Sequence, residues 1–226
     1  MNRKLPLIKL FVLTGNLVIP VYAFLLYFFY SRNVIGFLFF LFVSFCIIER
    51  AWETFKTSKE RKREELHGDW PLVAVTVSYL VLFFLFIAEF YLHVRNFNMP
   101  ISITGLTMWG ISLRLRFWGM AALGSQWAIH AVGAQKIKRV RLLHIGPYRH
   151  IRHPIYLAIM IEELSFPIIA AAFFSFLFAL FICIPLVIVR AILEEKTSLR
   201  RFGVKYQDYK KKVGMFLPLQ LLRRHS

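Results

Sequence analysis

Arg152-His153-Pro154-Ile155-Tyr156, followed after a long apolar stretch by Arg190 and the pair Glu194-Glu195, holds this chain's best-placed reactive side chains. Arginines, a histidine, a tyrosine and paired carboxylates are costly at the edge of a bilayer unless they hold something. His153 precedes a proline and is biased to an extended backbone, and Pro154 then suits the first turn of a helix. Such a helix start offers unpaired N–H groups and a partial positive charge, which suit an anionic ligand group. His153 and Tyr156 add donors, or aromatic surface for a base. Arg190 and Glu194 lie four apart, so on a helix they share one face and can contact two different ligands or simply each other.

The elements that must position these groups are apolar. Of 226 residues, 58% are hydrophobic and 24 are Phe, and the mean hydropathy is +0.58. That is too apolar for a soluble domain and predicts membrane spans. Candidate spans cover residues 10–30, 33–49, 71–92 and 101–123, and an apolar block over 155–192 is long enough for two more, with Pro167 as the bend. The expected fold is all-α and polytopic, with six segments, the last two a hairpin. Two parts are expected: N-terminal transmembrane helices over 1–100 and a second membrane part over 101–226, which holds nearly all the oddly placed polar groups.

The formal charge of +17 could suggest nucleic acid, but its placement argues otherwise. Lys and Arg cluster before the first span, between the second and third, between the fourth and fifth, and in the tail, while the alternate loops carry only Arg32 and Arg95. With six crossings every basic region falls on one side, which predicts cytoplasmic termini, in a bacterial inner membrane or a eukaryotic endoplasmic reticulum. The expected partner is the bilayer, with no nucleic acid and no metal. The N-terminus imitates a signal peptide, but its apolar run continues through Tyr30 and reads as an uncleaved span. Cys46 and Cys183 sit in apolar segments as core residues. Arg114 and Arg116 are expected to snorkel to the interface beside Trp118, and Glu89 to pair with a helix-borne arginine. His144, His150 and His153 share a loop with no fixed facing geometry, so no metal site is expected. No GxGxG follows a strand-like segment, which excludes the soluble dinucleotide-type methyltransferase fold.

Residues 123–218 resemble the isoprenylcysteine carboxyl methyltransferase family of integral-membrane methyltransferases. The matching residues are Leu123-Gly124 with Trp127, Gly146-Pro147-Tyr148-Arg149, Arg152-His153-Pro154-Ile155-Tyr156, Glu194-Glu195, Leu199, Phe202-Gly203, Tyr206, Tyr209, Val213 and Pro218. Ala158 stands where the family usually has glycine. The resemblance implies an S-adenosylmethionine pocket made by Val140, Arg141, Leu142, Leu143, Tyr148, His153, Pro154, Ile155 and Tyr156, with Glu194 contacting the cofactor and Arg190 orienting a lipophilic or lipidated acceptor. Glu195 is expected to point elsewhere and bond the basic tail.

Glu162 and Glu163, consecutive acids in an apolar helix, raise the question of the acceptor. A carboxylate, with a pKa near ~4, is already ionised at pH 7 and needs no base, whereas a phenol near ~10 benefits from one. Glu162 is the first choice for that base and Glu163 the alternative; a buried acid paired with Arg114 or Arg190 is the structural reading. The acceptor atom could be a carboxylate or hydroxyl oxygen, a phospholipid amine or a small thiol. The rival classes are an NADPH-dependent sterol-type reductase and a non-enzymatic membrane protein.

Overall fold

In lipid every backbone N–H and C=O must be satisfied within the protein, so long apolar runs are driven to helix. The computed structural model describes residues 7–56, 70–92, 98–124 and 142–218. Helices α1 (Leu7–Tyr30), α2 (Val34–Lys56), α3 (Trp70–Leu92) and α4 (Met99–Leu123) precede a short 3-10 turn at Gly146–Arg149. Then come α5 (Pro154–Ile169), α6 (Phe173–Phe178), a π-helical turn at Ala179–Cys183, α7 (Ile184–Phe202) and α8 (Val204–Lys212). Among the described residues the only β pairing is an isolated bridge between Ile151 and Gly214, so the all-α expectation holds.

Local chemistry fixes the joints. Asn33 Oδ1 accepts from Gly36 N at 2.7 Å and from the Ser31 hydroxyl at 3.1 Å, turning α1 into α2. Asn98 caps α4 by accepting from Ile101 N at 3.2 Å. Helices α4 and α5 pack closely: a Cβ on Gly105 would lie 2.6 Å from the Ile169 backbone nitrogen, and one on Gly119 would lie 2.8 Å from Ile155 Cγ1. The Ser102 hydroxyl donates to Ile169 O across the same seam, at 2.8 Å. The core is largely aromatic and centres on Phe166 of α5, stacked on Phe86 at 5.4 Å, while Phe39 stacks on Phe90 at 3.6 Å. Large apolar side chains on the outside, such as Phe29 and Phe174, are exposed, as a hydrocarbon surround permits.

Among the described residues, three stretches are long and apolar enough to cross a membrane: Val34–Glu53, Trp70–Leu92 and the continuous Phe173–Phe202. Leu17–Tyr30 is a shorter apolar helix, and α5 has 16 residues. The expected fourth span does form a helix, α4, but its Ser, Thr, Gly and Arg residues dilute its hydropathy. The expected bend at Pro167 is displaced. Pro167 lies inside α5, and the reversal comes at Ala170–Ala171, where Ala171 takes φ 50° and Ala172 N donates to Pro167 O at 2.8 Å. The π turn has a local cause: Pro185 has no N–H to offer the carbonyl four residues back, and the Ile184 N–H reaches five residues back to Ala179 O.

One charged residue departs from expectation, and a second shows an additional role. Arg116 does not snorkel; it is 1% exposed and donates to Glu162 Oε2 at 2.7 Å and to Glu49 Oε1 at 2.6 Å. Glu89 caps α6, accepting from Phe174 N at 3.0 Å, from Ser175 N at 2.9 Å and from the Ser175 hydroxyl at 2.7 Å. Arg114 is exposed, as a snorkelling side chain would be.

Candidate functional site

The site forms where the 3-10 turn, the start of α5, the last turns of α7 and the tail after α8 converge. His153 occupies the N-cap of α5 with φ −126° and ψ 62°, makes no side-chain cap bond, and is followed by Pro154 in the first turn. The helix start expected from the proline is therefore present, and the cap side chain leaves its N–H groups unclaimed.

Tyr156 faces α7. Arg190 Nε donates to the Tyr156 hydroxyl at 3.1 Å, and that hydroxyl donates to Glu194 Oε2 at 2.7 Å. Arg190 is buried while Glu194 is half-buried, so a cation and an anion meet at one phenol with the anion closer to solvent. The i,i+4 spacing of Arg190 and Glu194 thus places both on the face turned toward α5.

Adjacent Glu195 points to a different set of partners. Its Oε1 accepts from Arg152 Nε at 2.7 Å and lies 3.3 Å from His153 Nε2, while Oε2 lies 2.9 Å from Lys210 Nζ. The expected tail contact is present, but Glu195 also grips two residues of the arginine–histidine–proline motif. Arg152 continues into the tail, its Nη1 donating to Val213 O and, at 3.3 Å, to Lys210 O. Two backbone bonds complete a strap: Arg152 N to Gly214 O at 2.8 Å and His153 N to Met215 O at 3.1 Å.

The strap is held by an apolar face that its spacing produces. Phe202, Tyr206, Tyr209 and Val213 pack together with Leu142, and the Tyr209 hydroxyl donates to Tyr148 O at 2.6 Å. Burial pushes the Tyr148, Tyr206 and Tyr209 phenols well above their ordinary range, and neighbouring Glu194 and Tyr209 add to this at Tyr148. The His144 ring stands edge-on to Tyr209 at 4.6 Å, so it and His153 serve separate contacts. Among the described residues no group of three His, Cys, Asp or Glu converges in a way that could hold a metal.

Of the residues expected to hold a cofactor, Tyr148, His153, Pro154, Tyr156 and Glu194 come together here. Leu142 and Leu143 are half-buried on the loop leading in. Pro154 and Ile155 turn their side chains against Gly119 of α4, so they can offer a ligand backbone rather than side-chain groups. Val140 and Arg141 lie outside the described residues.

The two acids of α5 separate. Glu162 bonds Arg116 and Arg50, within a buried cluster that includes Glu49 and Glu53. Its partners are thus Arg116 and Arg50 in place of Arg114 or Arg190. Glu163 is 0% exposed, and neither carboxyl oxygen has a hydrogen-bond partner among the described residues. Sequence reasoning missed the role of Arg50, the hold of Glu195 on Arg152 and His153, and the strap at Gly214–Met215. The i, i+4, i+7, i+11 spacing of Phe202, Tyr206, Tyr209 and Val213 was the available signal for the strap.

Comparison with known proteins bears on this region. The uncharacterized protein YpbQ of Bacillus subtilis (strain 168) is 25% identical over 173 residues, which is 74% of this chain and 100% of that protein. Residues 103–200 match the model of the isoprenylcysteine carboxyl methyltransferase (ICMT) family, a segment that takes in most of α4, all of α5 and nearly all of α7. The motif of α5 and both carboxylates of α7 lie inside that segment, so the similarity to the isoprenylcysteine carboxyl methyltransferase family falls on the site itself.

Proposed function

We propose that this protein is a membrane methyltransferase that moves the methyl group of S-adenosylmethionine to an oxygen, carboxylate or hydroxyl, of a lipophilic acceptor arriving from the bilayer. The observation that carries the reading is the Tyr156–Arg190–Glu194 cluster at the uncapped start of α5, inside the family-matched segment.

The residues present suit the cofactor. It carries an ammonium and a sulfonium, which favour the half-buried carboxylate of Glu194, and a carboxylate, which favours the N–H groups and partial positive charge at the α5 start. When bound, it supplies an electrophilic methyl group. Tyr156 holds Glu194 in a fixed direction by donating to it. Arg190, held by Tyr156, orients the acceptor. Glu195 and Arg152 close the tail over the motif and exclude water. Catalysis of a direct displacement then comes mainly from positioning and a dry site. In this reading residues 1–100 support the catalytic part over 101–226. The chain crosses the membrane six times, and both termini and the site face the cytoplasm, which is the arrangement the basic loops favour.

The test is to incubate purified protein with methyl-labelled S-adenosylmethionine and total membrane lipid, then characterise the labelled product. A labelled methyl ether or ester of a lipophilic molecule is expected. Label transferred only to amines or thiols would contradict the oxygen assignment, and absence of any transfer would contradict the methyltransferase reading.

A further inference from the structure

The outward stripe of α7 changes character within about one turn. Val189 and Ile192 are exposed apolar side chains, whereas Lys196 and Arg200, which follow on the same face, are exposed cations. A hydrocarbon surround accepts the first pair and rejects the second, so the edge of the apolar layer falls near Lys196. Glu195, the residue before it, bonds Arg152 at the start of α5 and Lys210 at the end of α8. Three segments therefore meet at one level: the exit of α7, the entry of α5 and the junction of α8 with the strap.

That level carries further exposed groups of two kinds. Arg149, in the turn just before α5, and Lys211 and Lys212, at the end of α8, are exposed cations. Ile145, which opens that turn, is 58% exposed. Leu217 is 67% exposed, two residues beyond the Met215 carbonyl that accepts from His153 N. Its neighbour Phe216 lies instead against His153, with ring centroids 6.1 Å apart. Among residues 142–218, all of them described, the only exposed acid is Asp208, 3.6 Å from Lys211 Nζ. Cations interleaved with apolar side chains at the edge of a hydrocarbon layer fit phospholipid, the cations matching anionic phosphates and the apolar groups sitting below them. A nucleic acid or an acidic peptide would satisfy the cations and leave Ile145 and Leu217 in water.

We infer that this rim docks on anionic phospholipid headgroups of the leaflet it meets, and that the docking holds the strap closed over the candidate site. Rim and strap are one piece of chain. Lys211 and Lys212 lead through Val213 into Gly214 and Met215, whose carbonyls accept from Arg152 N and His153 N. Headgroups gathered by the two lysines and a Leu217 side chain seated in the acyl layer fix that stretch at both ends. The docking concerns the membrane surface alone. The closure rests on the methyltransferase reading above, because it makes release of S-adenosylmethionine depend on the charge of the lipid.

The experiment uses full-length Leu217→Cys labelled with bimane, in lipid nanodiscs of phosphatidylcholine alone or with a quarter phosphatidylglycerol. The native thiols, Cys46 and Cys183, are buried and do not compete for the label. Bimane emission is expected to move to the blue in the anionic discs, and to move back when about 1 M salt cuts the screening length to roughly 3 Å. Lys211→Glu with Lys212→Glu should abolish the shift. Anionic discs should also slow release of S-adenosylmethionine from the unlabelled wild type by roughly fivefold, the order of one Lys or Arg contact with an anionic surface. The double Glu variant should release it equally fast from both discs. Equal emission in the two discs, or a shift that survives the double substitution, overturns the docking. A shift produced by soluble polyglutamate and not by the lipid assigns the rim to an acidic protein and overturns it as well. Equal release by the wild type from the two discs overturns the closure. Failure of the wild type to bind S-adenosylmethionine in either disc overturns the methyltransferase reading and the closure with it, while the emission result still decides the docking.

Discussion

Glu194 and Glu195 are neighbours in the chain with opposite work, because successive side chains on a helix point about 100° apart. Glu195 neutralises Arg152 in a buried pair and also engages His153 and Lys210, whereas Glu194 meets the hydroxyl of Tyr156 from a half-buried position. Removing one partner of a buried ion pair strands the other, so Glu195→Ala should cost about 3 kcal/mol of stability. Glu194→Ala should cost less than half as much, and thermal unfolding of the two variants in detergent checks the difference. Equal losses would mean that Glu194 is as structural as its neighbour. Much of this site was legible beforehand. Pro154 after His153 announces a helix start, and Arg190 with Glu194 at i,i+4 announces a shared face. The role of Glu195 was only half legible, because Arg152 lies 43 residues away in sequence and only the fold brings it near. The same holds for Arg116, which looks like a snorkelling side chain until Glu49 and Glu162 arrive from two other helices.

Helix α5 is held between two kinds of seam. Against α4 the fit is steric: Gly105 faces the Ile169 backbone at a distance no Cβ tolerates, whereas nothing lies within 4 Å of a Cβ on Gly110. Gly105→Ala should therefore destabilise by about 1–3 kcal/mol through overpacking, and Gly110→Ala should be neutral or slightly stabilising; paired melting curves decide. Against α8 and the tail the seam is polar, closed by the Tyr209 hydroxyl on Tyr148 O. Burial raises the Tyr209 phenol above its value of about 10 in the unfolded chain. Its contribution is fully present below that value and is lost as pH rises through the higher folded one. Stability should thus be nearly flat from pH 7 to 9 on this account and fall above about pH 10, with a shallower fall in Tyr209→Phe. An unchanged alkaline limb in that variant would remove Tyr209 from the explanation. The helices were readable from apolar runs because lipid leaves the backbone no alternative. The reversal after α5 was not, since Pro167 is the obvious breaker and the turn uses Ala171 at positive φ, a residue type that announces nothing.

The whole molecule is organised by charge. Its excess of +17 sits in loops and tail segments while the interior carries ion-pair clusters, such as Arg50 and Arg116 with Glu49, Glu53 and Glu162. On the six-crossing reading proposed above, cysteines introduced at Ser198 should react only with reagents added from the cytoplasmic side, and those at Asn33 and Asn98 only from the opposite side. Labelling of Ser198 from outside would require an odd number of crossings and would put the site on the wrong face. The number of crossings was the least legible feature, because α4 and α5 mix polar residues into helices that hydropathy alone does not assign. The claim on which the rest depends is that the start of α5 and Glu194 of α7 together hold S-adenosylmethionine. Calorimetric binding of S-adenosylmethionine to detergent-solubilised wild type, Glu194→Ala and His153→Ala, each verified as folded, tests it directly. The expected result is measurable binding by the wild type, weakened at least tenfold, about 1.4 kcal/mol, in each variant; unchanged affinity in both variants would contradict it.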